Sequence, residues 1–419
     1  MRVRPPRPLL IRAWNHFSRL LSVDLRPFPG AAQLWAAAAE VVGYEGAGDE
    51  TWLEGLDRLV GDFNHYGGFH HFGRFYVGQF LHGLLVQRLH LGKLWAEHPE
   101  ILQTGVARPL VIVGLPRTGT SFLFNLLARD PAHRYLANWE ASVSQVPPGR
   151  RRNDFRRDPR RRKGRLMLAF QKYLMPEIET QHAFLLDGPE ECTPILMQGF
   201  ATQAFAGMFD VSDYSRWLYT ANRLPSYRHH RRVLQTLQWT YPGQRWLLKS
   251  PDHVGALDAL LRVYPDACVV CTHRDPVSAV TSWASLARSF RGIYYEKPDQ
   301  ERLGKQVLER LARDTEAFLA ARGSLPREPF FDVDFSELVE RPLDIVQSIY
   351  ERFGLPLADE TLRAMQAYLA EDAGFRPGRH RYRPEDFGLS AAGIRARFTE
   401  YSQHFGQGGP GGAGAGFTT

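Results

Sequence analysis

One segment constrains the fold of this chain more than any other: residues 109–121, with the sequence PLVIVGLPRTGTS. A run rich in Val and Ile ends at Gly114, and a second glycine, Gly119, precedes two hydroxyl residues and another apolar run. This pattern is typical of a buried strand, a glycine-bracketed turn and a helix. Backbone N–H groups and the helix dipole favour an anion at a helix N-terminus, so the segment predicts an anion-binding loop.

The spacing of the loop matches a nucleotide-binding P-loop except at one position. Thr120 stands where a P-loop has its lysine, and the basic side chain lies earlier, at Arg117. In P-loop nucleotidases that lysine reaches the nucleotide's β- and γ-phosphates. The displaced cation therefore points to a phosphate ligand other than ATP with magnesium.

Two further strand–turn–helix patterns follow, in residues 245–264 and residues 267–286. Lys249 ends the first of these strands and Arg274 closes the second, with Ser282 in the helix after it. Ligands of open parallel sheets bind at the carboxyl ends of the strands. The sequence therefore predicts an α/β fold: a P-loop-like three-layer sandwich with a central, mostly parallel sheet, plus extra N-terminal and inserted helices.

The 419 residues allow one large domain with appendages. We predict a helical N-terminal region over residues 1–105, packed on the core, and an α/β domain over residues 106–405. That domain contains a basic loop at residues 147–165 and a helical insertion at residues 166–240. The glycine-rich tail, residues 406–419, is predicted to be disordered.

Composition narrows the function classes. The net charge of +7 suits an anionic ligand, and it suits nucleic acid equally. Three cysteines argue against a disulfide framework. Cys268 and Cys271 form a CxxC within an apolar run, where strand geometry puts them on opposite faces, so we expect no redox or metal role. No metal-ligand spacing stands out, and no apolar run reaches membrane-spanning length, so we expect a cytoplasmic protein.

Two segments raise the question of a charged or membrane surface. Residues 147–165 are dominated by arginine, and an N-terminal helical stripe contains Trp14, Phe17, Leu20 and Leu21. The favoured interpretation is a solvated loop and a helix packed on the body. The alternative is that either segment binds an anionic membrane surface, and the loop also fits an acidic acceptor or nucleic acid.

The loop at Arg117, together with Arg274 and Ser282 eight residues apart, resembles the sulfotransferases that use 3′-phosphoadenosine-5′-phosphosulfate (PAPS). The resemblance is strongest to a bacterial branch that is also similar to tyrosylprotein sulfotransferases. It covers residues from about 80 to 405 and rests on four segments: GLPRTGTS, LLKSPDH, HRDP and HRYRPEDFGL.

The resemblance implies roles for these residues. The 5′-phosphosulfate would be held by the loop, namely Arg117, Thr118, Gly119, Thr120 and Ser121. The 3′-phosphate would be held by Arg274 and Ser282, because a guanidinium fork binds phosphate oxygens in pairs. A late basic segment would close over the nucleotide, namely Arg379, His380, Arg381 and Tyr382.

The implied reaction is in-line transfer of a sulfuryl group to a hydroxyl, without a metal. Lys249 would stabilise the leaving oxygen. A general base should take the acceptor's proton, and Glu140 is favoured over His253. Three further candidates for the base stay open: His182, Glu190 and Glu191. The expected acceptor is a hydroxylated small molecule, lipid or glycolipid, with a peptide tyrosine second.

Two rival functions are weighed against this one. A P-loop kinase or NTPase would need a lysine before Ser121 and an acidic strand end for magnesium, where this chain has Thr120 and Arg274. A non-catalytic binder of nucleic acid or an anionic surface would need aromatic residues within a basic module, and none is evident, so we expect no specific nucleic-acid partner. The sequence leaves the oligomeric state open.

Overall fold

A computed structural model describes residues 8–21, 26–46, 51–147, 155–174, 185–371 and 383–406 of the chain. Some predicted features lie outside these ranges: the segment Arg379, His380, Arg381 and Tyr382, the alternative base His182, and residues 407–419 of the tail.

Five strands form one sheet in the described part of the chain. They are β1 (Leu110–Gly114), β2 (His133–Arg134), β3 (Arg245–Lys249), β4 (Cys268–His273) and β5 (Phe330–Asp334). Their order across the sheet is β2-β3-β1-β4-β5, and all neighbours are parallel. The carboxyl ends of all strands therefore meet at one edge, with β1 in the middle, which is where a ligand of such a sheet binds.

Helices surround the sheet. In chain order they are α1 (Leu9–Leu20), α2 (Ala31–Val42), α3 (Thr51–Tyr66), α4 (His71–Glu97), α5 (Thr120–Leu127), α6 (Asn138–Val143), α7 (Arg160–Leu174), α8 (Thr193–Met197), α9 (Ala204–Met208), α10 (Ser212–Leu218), α11 (Leu224–Thr240), α12 (Leu257–Val263), α13 (Pro276–Tyr294), α14 (Gln300–Ser324), α15 (Phe335–Glu340), α16 (Pro342–Arg352), α17 (Asp359–Glu371), α18 (Ala391–Arg397) and α19 (Thr399–His404). None of these described helices has the length and apolar character that crossing a bilayer requires.

Both faces of the sheet are covered, which explains why its strands read as continuous apolar runs. Leu110 and Ile112 of β1 pack with α5, α15, α16 and α17 on one face. Val111 and Val113 pack on the other face, against a core that includes α11 to α14, α18 and α19. The predicted α/β sandwich with a parallel central sheet is confirmed.

The CxxC motif follows the same alternation. Cys268 belongs to the core on one face of β4, and Cys271 belongs to the core on the opposite face. Both are buried and free of disulfide bonds. The prediction that these two thiols point to opposite faces of their strand is confirmed.

The N-terminal helices take part in a second apolar core. α2, α3 and α4 contribute to it together with α9, α10 and the last turn of α13, which carries Tyr294. Because α13 also carries Ser282, this core packs against an element that reaches the carboxyl edge of the sheet.

The predicted basic loop is helical at its C-terminal end, because α7 already begins at Arg160. Arg160 is buried: its guanidinium pairs with Asp158 at 2.8 Å and lies over the Trp139 ring. It also donates to the carbonyl of Ser144. These contacts of Arg160 fix the start of α7 against the rest of the protein, so this part of the predicted loop is not solvated.

The sequence Gly188-Pro189-Glu190-Glu191 predicts the start of a helix that runs to Gly207, with acids in its first turn, and this prediction is wrong in its first part. α8 begins only at Thr193, and Glu190 and Glu191 precede it. The N–H of Glu190 donates to the Leu136 carbonyl, and the N–H of Cys192 donates to the Lys249 carbonyl. These two hydrogen bonds hold residues 190–192 against the ends of β2 and β3. The carboxylates of Glu190 and Glu191 therefore lie outside the first turn of α8.

Candidate functional site

The loop between β1 and α5 is shaped by two glycines. A Cβ on Gly114 would lie 2.2 Å from Thr272 Oγ1 of β4, so only glycine lets the two strands approach. Gly119 has φ of +91° and caps α5, and a Cβ there would lie 3.0 Å from Phe335. Arg117 also adopts a positive φ, of 72°. Strained backbone of this kind is concentrated at ligand-binding sites.

Thr118 and Thr120 are both buried. Thr118 Oγ1 donates to the Leu115 carbonyl at 2.7 Å and lies 2.6 Å from Thr272 Oγ1. Its side chain therefore fastens the loop to β4. Thr120 begins α5, where the first backbone N–H groups of a helix have no intrahelical acceptor and can bind an anion.

Three of the predicted ligand residues meet beside the loop. Arg117 Nε donates to Ser282 Oγ at 3.2 Å, and Arg274 donates to the Arg117 carbonyl at 2.8 Å. The Arg274 guanidinium also lies over the Phe335 ring, 4.0 Å from its centre. The structure thus brings together groups from the loop after β1, from the end of β4 and from α13 that are up to 165 residues apart in sequence.

This cluster is strongly cationic. Burial, and then the nearby charge of Arg117, lower the pKa of Arg274. Within the described residues, Arg274 forms no salt bridge, and its hydrogen bond goes to a neutral carbonyl. The buried Arg274 guanidinium, held by a neutral carbonyl beside the charge of Arg117, favours the binding of an anion.

Lys249 occupies the end of β3 and points at the same loop. Its side chain is almost fully buried, and Nζ lies 3.1 Å from Ser121 Oγ. Nζ also pairs with Glu191 Oε1 at 2.5 Å and lies 5.6 Å from the centre of the Phe124 ring. Because these partners hold the ammonium in place, a charge that develops beside the loop meets a preorganised cation.

Glu191 is a carboxylate that contacts this machinery directly, through Lys249. Its Oε2 accepts a hydrogen bond from Thr193 Oγ1 at 3.0 Å, and Thr193 in turn lies 3.0 Å from Ser250 Oγ. Its side chain is 23% exposed, so it can reach solvent or a ligand. From the sequence, Glu191 is only one of the further candidates for the base, because Pro189 and the two adjacent glutamates favour a helix start there.

Glu140, the favoured base, lies in a buried ion pair. Its side chain is fully buried, and both its carboxylate oxygens accept from Arg134 Nη2, at 2.6 and 2.9 Å. The backbone N–H of Ala137 donates to the same carboxylate. Among the described residues, these contacts account for its partners, and none of them belongs to the loop.

His253 lies in a similarly closed position. It is fully buried, its Nδ1 lies 2.8 Å from Tyr227 Oη, and its Nε2 has no hydrogen-bond partner among the described residues. Burial, followed by the charges of His230 and Lys249, lowers the pKa of His253 well below its ordinary value. The imidazole is therefore neutral at pH 7 and packed within the core.

No group of three or more His, Cys, Asp or Glu side chains in the described ranges is arranged to hold a metal ion.

Comparisons with known proteins show which proteins this chain is similar to. The sequence model of the Sulfotransferase family matches residues 109–359, which is more than half of the chain. The crystal structure of sulfotransferase STF9 from Mycobacterium avium matches with 31% identity and a TM-score of 0.82, over 92% of this chain and 98% of that one. Sulfotransferase STF1 from Mycobacterium tuberculosis H37Rv matches with 30% identity and a TM-score of 0.73, over 89% of this chain and 99% of that one. No curated protein matches.

Proposed function

Because this chain belongs to the sulfotransferase family, and is therefore a transferase, we propose that it moves the sulfuryl group of PAPS to an acceptor hydroxyl. The acceptor is a small molecule, a lipid or a glycolipid. The family membership supports sulfuryl transfer, and the donor and acceptor are our inference from the chemistry of the site.

The observation that carries the choice of donor is the contact of Arg274 with the backbone of Arg117. Arg117 belongs to the loop that would hold the 5′-phosphosulfate, and Arg274 belongs to the pair that would hold the 3′-phosphate. A donor with anionic groups at both positions would bring a counter-charge to Arg274, whose pKa burial and the nearby Arg117 charge lower. ATP lacks the 3′-phosphate, and the loop lacks the lysine that ATP binding uses.

In the transfer, the acceptor oxygen forms a bond to sulfur while the bond from sulfur to the phosphate oxygen breaks. The product nucleotide, 3′-phosphoadenosine-5′-phosphate, leaves with the negative charge. We assign Lys249 to that developing charge, because Nζ is held beside Ser121 at the start of α5. No metal takes part in this scheme, so a chelator should leave the rate unchanged.

The proton of the acceptor needs a base within reach. We propose Glu191, because its carboxylate touches Lys249 and is partly exposed. The sequence predicts Glu140 or His253 as this base. Both side chains are fully buried, which disfavours a direct contact with an acceptor hydroxyl.

Two measurements test the proposal. Calorimetry should show that 3′-phosphoadenosine-5′-phosphate binds about tenfold or more tightly than 5′-AMP, the affinity difference expected of a charge-assisted phosphate contact. Incubation with PAPS and a panel of sterols, glycolipids, phenols and tyrosine peptides should add a sulfuryl group to at least one acceptor, detected by mass. Equal affinity for the two nucleotides would overturn the donor assignment, and magnesium-dependent turnover of ATP would favour the kinase alternative.

A further inference from the structure

Two helices from distant parts of the chain expose apolar side chains on the protein surface. On α1 and the residue after it, the side chains of five residues are between 62% and 75% exposed: Leu9, Leu10, Phe17, Leu20 and Leu21. On α7, Leu166 is 71% exposed, and Phe170 and Tyr173 are each 39% exposed. Contiguous exposed apolar side chains on a soluble protein mark a binding surface.

The two helices adjoin each other. The backbone N–H of Leu10 donates to Tyr173 Oη at 3.2 Å, so the start of α1 lies against the end of α7. Between them lies a cavity of about 320 Å³ with an apolar lining that includes Trp14, Phe72 and Phe170. The exposed faces of α1 and α7 with this cavity form one continuous feature, which we call the α1–α7 surface.

The α1–α7 surface is also basic. Neither helix contains Asp or Glu, whereas α1 contains two arginines and α7 contains six Arg and Lys residues. Some of these cations are engaged elsewhere: Arg19 pairs with Glu296, and Arg161 pairs with Asp187. Four exposed cations form no ion pair with a described residue, namely Arg12, Arg162, Lys163 and Arg165.

We propose that the α1–α7 surface binds the face of an anionic phospholipid bilayer. The leucines and Phe17 would enter the boundary between headgroups and acyl chains, and the cations would contact the anionic headgroups. The apolar cavity gives an acyl chain a place between the helices. This inference does not depend on the transfer reaction, because its readout is vesicle binding.

The properties of the α1–α7 surface argue against two other binding partners, a second copy of the chain and nucleic acid. A second copy of the chain, docked through the same surface, would bring basic residues against basic residues. Nucleic acid would match the cations, and its phosphate backbone would leave the exposed leucines uncovered. A bilayer with anionic lipids matches the apolar and the basic side chains together.

The test is co-sedimentation of the full chain with vesicles. One set contains phosphatidylcholine alone, and the other contains about 30% phosphatidylglycerol, which supplies the anionic charge. We expect binding to the anionic set, and a loss of about tenfold in affinity between about 0.05 M and 0.5 M salt, because salt screens the headgroup charge. Absence of binding to the anionic set, or equal binding to both sets, overturns the proposal.

Variants distinguish binding through the α1–α7 surface from nonspecific binding of the protein to vesicles. Leu9→Ser with Leu20→Ser, and Lys163→Glu with Arg165→Glu, should each weaken anionic vesicle binding by about tenfold or more. The matched controls alter exposed residues elsewhere, Val41→Ser with Val339→Ser and Lys305→Glu with Arg363→Glu, and should bind normally. All these positions are exposed, so unfolding is not expected, and circular dichroism checks it.

Equal losses in the control variants would overturn the assignment to α1 and α7. Sedimentation velocity tests the alternative that a second copy of the chain binds to the α1–α7 surface. If the Leu9 and Leu20 variant converts a dimer to a monomer while vesicle binding is unchanged, the surface is a contact between copies of the chain and the proposal is wrong.

Discussion

Lys249 Nζ lies 3.1 Å from Ser121 Oγ, although the two residues are 128 positions apart in sequence. The contact joins the end of β3 to the first turn of the helix after β1. It places a buried cation at the start of that helix, where the helix dipole already favours negative charge. The same ammonium holds Glu191, so a cation and a carboxylate stand together at the loop.

Removing the Lys249 charge should impair the chemical step more than nucleotide binding. We expect Lys249→Met to lower kcat by about 10²- to 10³-fold, the loss typical of a deleted group that stabilises transition-state charge. Affinity for 3′-phosphoadenosine-5′-phosphate should change by about threefold or less, since a group acting on the transition state contributes little to ground-state binding. Steady-state kinetics and calorimetry measure the two effects.

Two controls accompany the Lys249 variant. Lys305→Met removes an exposed cation from α14 and should leave kcat unchanged. The double variant Lys249→Met with Glu191→Gln avoids leaving the carboxylate without its cation, in case the single variant folds poorly. A folded variant that retains normal kcat would contradict the role of Lys249.

Arg274 should discriminate nucleotides by their 3′-phosphate. We expect Arg274→Ala to weaken binding of 3′-phosphoadenosine-5′-phosphate by about 10- to 100-fold, the value of a hydrogen bond to a charged group. Binding of 5′-AMP should stay nearly unchanged. Arg274→Lys should recover only part of the affinity, because lysine lacks the fork and the stacking on Phe335.

The control for Arg274 is Arg363→Ala, which removes an exposed arginine of α17. Calorimetry with both nucleotides gives the comparison directly. An Arg274→Ala variant that loses affinity for the two nucleotides by the same factor would mean that Arg274 only supports the Arg117 carbonyl and does not read the 3′-phosphate.

The two carboxylates should respond differently to loss of charge. Glu191→Gln should lower kcat by about 10²- to 10⁴-fold, as expected for a general base. It also removes the counter-ion of the buried Lys249, so we expect some loss of melting temperature in a protein that stays folded. Glu140→Gln should mainly lower the free energy of unfolding, by about 3 kcal/mol or more, because it leaves the Arg134 charge buried without a counter-ion.

Urea unfolding and single-turnover kinetics on the two variants decide between them. Loss of turnover in a stable Glu140→Gln protein, with normal turnover in Glu191→Gln, would restore the base assignment made from the sequence. His253→Gln serves as the third comparison, and we expect it to retain turnover because the imidazole is enclosed and packed on Tyr227.

Asp314 should make stability depend on pH. Burial raises the pKa of Asp314 from 3.8 to about 6, although Arg310 opposes the shift. The folded state therefore binds this proton more tightly than the unfolded state. The stabilising contribution of the protonated carboxyl is fully present below about pH 4 and is lost as the pH rises through about 6.

Asp314→Asn removes this titration while keeping the shape of the side chain. The free energy of unfolding of the variant, relative to the original chain, should rise by up to about 3 kcal/mol between pH 4 and pH 6.5, the equivalent of a shift of about two pKa units. Urea titrations at several pH values measure it. A difference that is constant across this window would show that Asp314 titrates normally.

Much of the fold is readable from local patterns. The apolar run before Gly114 predicts β1, and the positions of Lys249 and Arg274 after two other apolar runs predict their arrival at one edge of the sheet. Both inferences need only strand periodicity and the rule that parallel strands share an edge. The structure confirms the strands, and it brings the three loops together.

Other features of the site were not readable in this way. The sequence predicts Glu191 as an acid at a helix start, yet the backbone on either side of it bonds to Leu136 and Lys249. The sequence likewise predicts a loop where α7 starts, whereas Arg160 there is held by Asp158 and by carbonyls of another segment. Neither set of partners leaves a periodic signal in the sequence.

By itself, the sequence determined the glycine-bracketed loop that we predict to bind an anion, the cations at the strand ends and the class of fold, because each depends on residues that are neighbours in the chain. Only the tertiary structure decided which carboxylate stands at the loop. Glu140 is enclosed with Arg134, whereas Glu191 meets Lys249 across 58 residues. Burial and pairing of a charge are set by the whole packed fold, and they decide whether a carboxylate stabilises the protein or can take a proton.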